Sequence, residues 1–290
     1  MNSRLALGTV QFGLDYGIAN HSGRVHPGEA GRILTEAAQA GISMLDTAIA
    51  YGDSECTLGQ IGVAGWRVVT KLPEVPDTCI DVAEWVEGQI KGSLDRLSVK
   101  QLHAVLLHRP AQLLEARGPQ LFAALDRLKI LGYTKKIGIS IYDPSELDSL
   151  FSKMHFDLVQ APLNILDRRL VDSGWAGRLK HIGTELHVRS SFLQGLLLMS
   201  SEKRSQKFNR WQSLWLEWDR WLSETGLSPL EACLRYALSI EEVDSVVVGV
   251  DSVVQFREIH AAANGVLPGL PAWPHAIDPV LLNPALWSKL

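Results

Sequence analysis

Short apolar runs alternate with stretches of helical periodicity along the whole chain. The runs are typical of buried strands, and the stretches between them repeat apolar positions every three or four residues. The predicted strands span residues 5–10, 42–45, 67–70, 102–107, 137–141, 158–160, 185–188 and 245–248. A helix after each strand predicts an α/β fold, a (β/α)8 TIM barrel, as a single domain over residues 1–290.

A doubly wound sheet is the competing interpretation of this alternation. Such a sheet carries the phosphate fingerprint G-x-G-x-x-G directly after a strand, and none follows any of the predicted strands. Two helix starts are well marked, because a capping side chain is followed by Pro and, three residues on, by Glu. These starts are Asp143-Pro144-Ser145-Glu146 and Ser228-Pro229-Leu230-Glu231. We therefore favour the barrel.

One segment after the seventh predicted strand does not fit the regular unit. Between Gly195 and Gly226 lies an extra helix-like stretch with tryptophans at spacings of 4, 3 and 3. These tryptophans are Trp211, Trp215, Trp218 and Trp221. We favour an amphipathic helix that packs its rings onto the barrel wall. The alternative, a surface that binds a partner or stacks on a substrate, requires exposed rings.

Composition and charge limit the partners and the compartment. The chain is 46% hydrophobic and 21% charged, with a formal net charge of −4 and no basic stripe. A packed core is expected, and nucleic acid is not an expected partner. The three cysteines, Cys56, Cys79 and Cys233, lack metal-ligand spacing and fit a reducing compartment. Without a signal peptide or membrane-spanning run, we expect a cytoplasmic protein with no metal site and no membrane partner, a monomer or weak homo-oligomer.

Ionisable residues stand at the ends of three successive predicted strands. Asp46 follows the second strand with Tyr51 five residues later, Lys71 follows the third and His108 the fourth. Active sites of such barrels form at the carboxyl ends of the strands, so these residues would share one mouth. Each alone could be structural, as a turn cap, a packed ring, a solvated strand end or a loop start. Together they indicate a site.

Proton delivery is the chemistry that these residue types favour. Reduction of a carbonyl by hydride requires a proton for the developing alkoxide, and a phenol, with a pKa near ~10, is too weak an acid alone. A nearby ammonium lowers the pKa of a phenol, and a carboxylate keeps that ammonium charged and in place. A neutral imidazole can orient the carbonyl oxygen or share the proton.

The motifs that contain these residues resemble those of the aldo-keto reductase family. The matching motifs are Leu7-Gly8-Thr9, Asp46-Thr47-Ala48 with Tyr51-Gly52, Thr70-Lys71, Leu107-His108, Gly138-Ile139-Ser140, Val159-Gln160-Ala161-Pro162-Leu163-Asn164, and Val248-Gly249 with Gln255 and Glu258. The resemblance implies a (β/α)8 barrel that reduces an aldehyde or ketone to the alcohol with a nicotinamide dinucleotide. It also implies Tyr51 as general acid, Lys71 and Asp46 as the residues that tune it, and His108 as the residue that orients the carbonyl.

The same resemblance implies which residues bind the cofactor. Ser140 and Gln160 would hold the nicotinamide carboxamide, and Asp46 would also reach the ribose. Backbone groups near the seventh and eighth strand ends would bind the phosphates, since a helix amino end attracts anions. Lys203 or Arg204 could clamp the pyrophosphate. The further residues assigned to the cofactor are Gly8, Thr9, Gly195, Gly249 and, for the adenine amine, Glu258.

The chain departs from the family pattern around the cofactor. Ile141 follows the serine, where Asn is common, and Arg189 stands where an aromatic residue usually stacks on the nicotinamide. A guanidinium can stack on a ring too, and its charge would favour an anionic substrate, although a surface Arg remains an equal alternative. Asp251 and Gln255 lie where NADP-preferring relatives offer cations. We predict NADP by a narrow margin, with NAD as the alternative.

The substrate is the least determined feature of the sequence. Tyr16, Trp175 and Trp287 are candidates for the substrate rim. A resemblance to relatives that share the Tyr-Gly-Asp-Ser-Glu run at residues 51–55 implies a sugar-like carbonyl. Two other functions remain open at this point. One is a barrel aldolase with Lys71 as the Schiff-base amine. The other is a reductase-like subunit that binds cofactor without catalysis.

Overall fold

Eight parallel strands close into a barrel in the computed structural model of this protein, and β8 pairs with β1. The structure describes residues 4–18, 20, 23–271, 273 and 277–290. The strands are β1 Leu5–Gly8, β2 Met44–Asp46, β3 Arg67–Leu72, β4 Leu102–Leu107, β5 Thr134–Ser140, β6 Leu158–Pro162, β7 Glu185–Arg189 and β8 Ser245–Gly249. The predicted (β/α)8 TIM barrel is confirmed.

Helices surround the strands, as expected for this fold. They are α1 Pro27–Gln39, α2 Ser54–Ile61, α3 Val82–Leu97, α4 Gly118–Ile130, α5 Glu146–Phe151, α6 Arg169–Asp172, α7 Trp175–His181, α8 Gln212–Thr225, α9 Pro229–Ser239, α10 Val253–Ala262 and α11 Pro279–Leu282. Short 3₁₀ turns span Val10–Phe12, Pro110–Leu114, Leu193–Leu198, Ser201–Lys203, Gln206–Trp211 and Pro284–Lys289. None of the helices in the described ranges combines the length and apolar character needed to cross a bilayer.

Alternation along the strands determines which side chains enter the barrel. A small buried cluster fills the interior and consists of Ala6, Met44, Val69, Ala104, Leu106 and Leu158. Side chains on a strand alternate between its two faces, so positions two residues further along point to the same interior at the carboxyl end. Those positions are Asp46, Lys71, His108 and Gln160. The strand period alone therefore brings three of the predicted catalytic residues to one mouth.

Two elements begin later than the sequence predicts, and local hydrogen bonds explain both. Gly41 has a left-handed φ of +78°, and the amide of Ile42 donates to the Ala37 carbonyl at 2.9 Å. Ile42 thus completes the exit from α1, and β2 starts only at Met44. Before α5, the carboxylate of Asp143 accepts from the Ser145 amide at 2.9 Å and closes a turn, which delays the helix to Glu146. The second predicted start is confirmed by a full capping box at α9.

α8 is the extra helix expected after the seventh strand, and its tryptophans are core residues. Trp215, Trp218 and Trp221 are 6%, 0% and 5% exposed. Trp221 Nε1 donates to the Gly269 carbonyl at 2.9 Å, and its ring lies 6.3 Å from that of Trp273. The helix therefore packs against the C-terminal segment, and the predicted core role is confirmed for these three rings.

Candidate active site

A cavity of about 490 Å³ opens at the carboxyl ends of the strands. Its lining includes the predicted catalytic residues and most of the predicted cofactor residues. These lining residues are Gly8, Thr9, Asp46, Tyr51, Lys71, His108, Arg189, Gly195, Gly249, Asp251 and Gln255. The fold thus brings residues from six different strand ends to one space.

Lys71 and Asp46 form a buried ion pair at the floor of the cavity. Lys71 Nζ donates to Asp46 Oδ2 at 2.6 Å and to the Thr47 carbonyl at 2.9 Å, and the two charged side chains are 1% and 6% exposed. Burial alone would lower the pKa of Lys71, but the Asp46 carboxylate and Tyr51 together outweigh it, so this pKa lies above its ordinary value. Lys71 is therefore an ammonium at neutral pH.

Tyr51 lies in the turn between β2 and α2, with its ring beside that ammonium. Lys71 Nζ is 5.1 Å from the ring centroid. The Ser54 amide donates to the Tyr51 carbonyl at 3.1 Å, which closes the turn. From the other side, Gly13 approaches so closely that a Cβ there would come within 1.8 Å of the Tyr51 carbonyl oxygen. The backbone that carries the phenol is thus held on both sides.

Ser54 and Glu55, which the sequence analysis did not single out, hold this turn from below. Ser54 Oγ, fully buried, donates to the Thr9 carbonyl at 2.9 Å. Glu55, 1% exposed, accepts from Thr70 Oγ1 at 2.6 Å and pairs with Arg96 Nη2 at 2.7 Å. The signal in the sequence was a carboxylate on the inward face of a helix, because a buried charge requires partners.

His108 faces Tyr51 across the mouth and is neutral. The ring centroids are 6.0 Å apart in an edge-to-face arrangement. Burial, assisted by the nearby cations of Lys71 and Arg189, lowers the pKa of His108 to about 4. A neutral imidazole at pH 7 is the form that can orient a carbonyl oxygen, as the residue types suggested.

Ser140 and Gln160 are buried and bonded to the ion pair rather than exposed to the cavity. Gln160 Nε2 donates to Asp46 Oδ1 at 2.6 Å, and Ser140 Oγ donates to Gln160 Oε1 at 3.2 Å. Ser140 is 1% exposed and Gln160 0%, and neither lines the cavity. Asp46 therefore has an amide on one oxygen and the Lys71 ammonium on the other.

Arg189 lines the cavity from the end of β7 and is held against β5. Its Nη2 donates to the Ile141 carbonyl at 2.9 Å, and its Nη1 donates to Ser190 Oγ at 3.2 Å. The guanidinium carbon lies 4.7 Å from the centroid of the Tyr142 ring. Two departures from the family pattern are thus in direct contact, since Arg189 binds the backbone of Ile141. Arg189 belongs to the cavity and is not a surface residue beside it.

The end of the cavity near β8 is acidic. The Asp251 amide donates to Gln255 Oε1 at 2.6 Å, and burial raises the pKa of the Asp251 carboxyl. Arg257, the basic residue nearest in sequence, is bound to Glu36 at 2.7 Å on the surface. The predicted shortage of cations for a 2′-phosphate is therefore present in the folded chain.

Three buried polar atoms at this end lack a hydrogen-bond partner within the part of the chain that the structure describes. They are Gln11 Oε1, Ser191 Oγ and Asp251 Oδ1, and all three residues line the cavity. Buried polar atoms are ordinarily satisfied, so unsatisfied ones in a cavity wall indicate a polar ligand or water.

Several predicted contacts lie elsewhere in the structure. Trp175 is 3% exposed and packs on Phe151, so it is not part of the substrate rim. Trp287 is also buried, and its Nε1 donates to the Leu281 carbonyl at 3.1 Å. Arg204 is committed to a bidentate pair with Asp219 in front of the Trp215 ring, which leaves it no role as a pyrophosphate clamp.

The rim includes a segment that the sequence analysis did not identify. Residues 282–285, in the C-terminal segment, line the cavity together with Tyr16, Tyr142 and Gly195. Of the predicted rim residues, only Tyr16 lines the cavity. Glu258 is exposed on α10 and outside the lining, so its contact with adenine stays a prediction.

The model of the aldo/keto reductase family matches residues 4–269 of this chain. The chain belongs to the aldo/keto reductase family. It is therefore an oxidoreductase, and the lyase and non-enzymatic alternatives are set aside. The matched range ends before residues 282–285, so the cavity rim includes a part of the chain outside the family match.

Individual relatives agree with this assignment. The chain is 26% identical over 253 residues to the uncharacterized oxidoreductase YqkF of Bacillus subtilis strain 168, covering 80% of this chain and 81% of that protein. Among solved structures, the holo form of the aldo-keto reductase AKR11C1 from Bacillus halodurans superposes with a TM-score of 0.73 at 21% identity, covering 92% and 89%. Its apo form gives a TM-score of 0.70 at 22% identity, covering 92% and 88%. At these identities, the two structures show a shared fold.

Proposed function

We propose that this aldo/keto reductase uses NAD(P)H to reduce an aldehyde or ketone to the alcohol, with Tyr51 as the general acid. One observation carries the proposal. A buried Lys71–Asp46 pair lies beneath the Tyr51 ring, and a neutral His108 faces the same cavity. Acid, cation, carboxylate and neutral imidazole are the groups that proton delivery to an alkoxide requires.

The far end of the cavity fits a nicotinamide dinucleotide. The unsatisfied atoms of Gln11, Ser191 and Asp251 offer hydrogen-bonding groups to a polar ligand. Gly195 and Gly249 line the cavity beside the amino end of α10, where a helix end attracts phosphate, although the Val253 amide is bonded to Glu29 before any ligand binds. When bound, the dinucleotide supplies the hydride. Gln160 keeps a second amide N–H beside its bond to Asp46, but Ser140 and Gln160 do not line the cavity, so they can take the carboxamide only if the cavity wall shifts.

The residues of the chain would then handle the proton. His108 donates one hydrogen bond from its protonated ring nitrogen to orient the substrate carbonyl near Tyr51, because a neutral imidazole keeps one N–H donor. Tyr51 gives its hydroxyl proton to the developing alkoxide. The Lys71 ammonium stabilises the resulting phenolate, and Asp46 keeps the ammonium charged and in place.

The choice between NADP and NAD is close. The family leans towards NADP, which we keep as the proposed cofactor. The acidic residue Asp251 and the engagement of Arg257 with Glu36 favour NAD. A sugar-like carbonyl as substrate, a cytoplasmic location and a monomeric or weakly oligomeric state stay predictions from the sequence.

Schiff-base chemistry at Lys71 is disfavoured on physical grounds. An amine that attacks a carbonyl must be neutral and accessible. Lys71 is 1% exposed and held as an ammonium by Asp46 at 2.6 Å. Borohydride treatment with an aldehyde should therefore leave no covalent adduct on Lys71.

Titration with NADPH and NADH tests the proposal directly. The nine tryptophans of the chain should report binding of at least one dinucleotide by fluorescence quenching. The same preparation should oxidise that dinucleotide when a simple aldehyde is added, followed by the loss of absorbance of the reduced nicotinamide. Absence of binding for both dinucleotides would contradict the proposed function.

A further inference from the structure

Arg189 has no ionic partner in the cavity that it lines. Lys71, the other cation of the lining, is neutralised by Asp46 at 2.6 Å. Within the described ranges, no Asp or Glu forms an ion pair with Arg189, whose bonds go to the Ile141 carbonyl and to Ser190 Oγ. A partly buried cation without a counter-ion is costly to desolvate. An anionic ligand would offset that cost.

The guanidinium is fixed in position before any ligand arrives. Its bond to the Ile141 carbonyl joins the end of β7 to the end of β5, a second bond goes to the adjacent Ser190, and one face lies over the Tyr142 ring at 4.7 Å. The two bonds use two of the five N–H groups of a guanidinium, which leaves three donors. A preorganised Arg fork is suited to a carboxylate, which it can bind in a bidentate manner.

The charge of Arg189 acts on the groups that would perform the reaction. It contributes to the lowered pKa of His108, after burial and Lys71, and it opposes the raised pKa of Tyr16 at the rim. Such effects require short distances through the cavity, since water screens charges efficiently. Arg189, His108, Tyr16 and Tyr142 line one cavity, so an anion bound at Arg189 would lie in the space that His108 faces and beside the Tyr142 ring.

We propose that Arg189 binds a carboxylate of the substrate, so that the preferred substrates are carbonyl compounds with an acid group. Oxo acids and aldehydic acids are the chemical classes that fit. The proposal rests on the proposed reductase function and names the substrate class for the same site. The competing role for Arg189, a contact with the nicotinamide or phosphates of the cofactor, is an outcome of the test below.

The test compares two aldehydes of similar size that differ in charge. 4-Carboxybenzaldehyde carries a carboxylate, and its methyl ester does not. The ratio of kcat/KM for the acid to that for the ester is measured for the native chain, Arg189→Met and Arg189→Lys. A charge-assisted hydrogen bond predicts a ratio of about tenfold or more in the native chain. Arg189→Met should reduce the ratio to about one, and Arg189→Lys should retain part of it, because the charge remains without the fork.

Each result has a distinct meaning. A native ratio near one, with both aldehydes reduced, would overturn this inference and leave the proposed function intact. The same holds if Arg189→Met slows both aldehydes equally and weakens NADPH binding, since Arg189 would then serve the cofactor. No reduction of either aldehyde despite dinucleotide binding would overturn the proposed function and this inference together. Thermal unfolding of each variant shows whether it is folded.

Discussion

The two ends of the cavity differ in how their polar groups are satisfied. At the β2–β4 end, both oxygens of Asp46 and the ammonium of Lys71 have protein partners between 2.6 and 2.9 Å. At the β7–β8 end, buried atoms of Gln11, Ser191 and Asp251 lack such partners in the described chain. The first end is built to hold charge in a fixed geometry. The second has buried polar atoms that a bound polar ligand or water would satisfy.

Removing the Lys71 ammonium should have the largest effect, because it leaves polar groups at the β2–β4 end of the cavity without their partners. Lys71→Met leaves the Asp46 carboxylate buried without a counter-ion, which should cost about 3–5 kcal/mol of unfolding free energy. Aldehyde reduction should fall at least ~10²-fold. Urea unfolding and turnover measure both effects. Lys91→Met removes a solvent-exposed pair with Glu87 and should leave both quantities unchanged. Equal stability and equal turnover of Lys71→Met and Lys91→Met would contradict the proposed role of the Lys71–Asp46 pair.

Acid should lower the stability of the folded chain, because His108 is buried in its neutral form. Its pKa is about 4 in the folded chain and about 6.5 when unfolded, so the unfolded state binds more protons between these values. Stability should therefore fall by up to roughly 3 kcal/mol as the pH drops from about 6.5 to about 4. His108→Gln should remove this slope. The further loss of stability below about pH 4 should persist in His108→Gln. Despite burial, which raises it, the pKa of Glu185 is held below its ordinary value by partners including His103, His187 and Lys136. A slope unaltered by His108→Gln would show that other groups cause it.

Loss of the Ser54 hydroxyl, which supports the turn that carries Tyr51, should have an intermediate effect. Ser54→Ala removes a buried hydroxyl that bonds the Thr9 carbonyl, the Thr9 hydroxyl and the Thr47 hydroxyl, and should cost about 1–3 kcal/mol of stability. We expect kcat to fall several-fold with unchanged dinucleotide affinity, since the change loosens Tyr51 and not the unsatisfied end. Ser152→Ala, at an exposed position, is the control. Weaker NADPH binding with a normal kcat would contradict this prediction, because Ser54 would then support dinucleotide binding and not the turn that carries Tyr51.

The smallest expected effect concerns the unsatisfied end. Asp251→Asn keeps the shape of the side chain and removes a charge that would repel a 2′-phosphate. Affinity for NADPH relative to NADH should rise a few-fold, as measured by fluorescence titration, while kcat with a saturating dinucleotide stays constant. Asp126→Asn, on the outer helix α4, should change neither quantity. An unchanged ratio in Asp251→Asn would mean that Asp251 does not face the phosphate.

The parts of the site that follow strand periodicity were predictable from the sequence. Asp46, Lys71 and His108 lie two residues beyond interior apolar positions, so the period of two places them at one mouth once the barrel is accepted. The core role of the α8 tryptophans followed from helical spacing in the same way. In both cases, a local period and one rule about the fold were sufficient.

Contacts between distant segments were not predictable in this way. Trp175 has its place because a helix buries it against Phe151, and nothing in its neighbouring sequence sets its direction. Residues 282–285 reach the cavity because the C-terminal segment is anchored by hydrogen bonds such as that from Lys207 Nζ to the Trp287 carbonyl, 80 residues apart, at 3.1 Å. Gln160 was assigned to the cofactor, whereas its bond to Asp46 depends on the register of β6 within the closed barrel.

The proposed proton donor, the Tyr51 hydroxyl, can be removed without changing the rest of the side chain. Tyr51→Phe should lower kcat/KM for aldehyde reduction by about 10²–10⁴-fold and leave the dissociation constant of the dinucleotide unchanged. Tyr133→Phe is a matched control, because that ring also lies near an ammonium, Lys91 Nζ at 5.8 Å, but far from the cavity. It should reduce the aldehyde at the native rate. Native turnover in Tyr51→Phe would contradict the assignment of the proton donor.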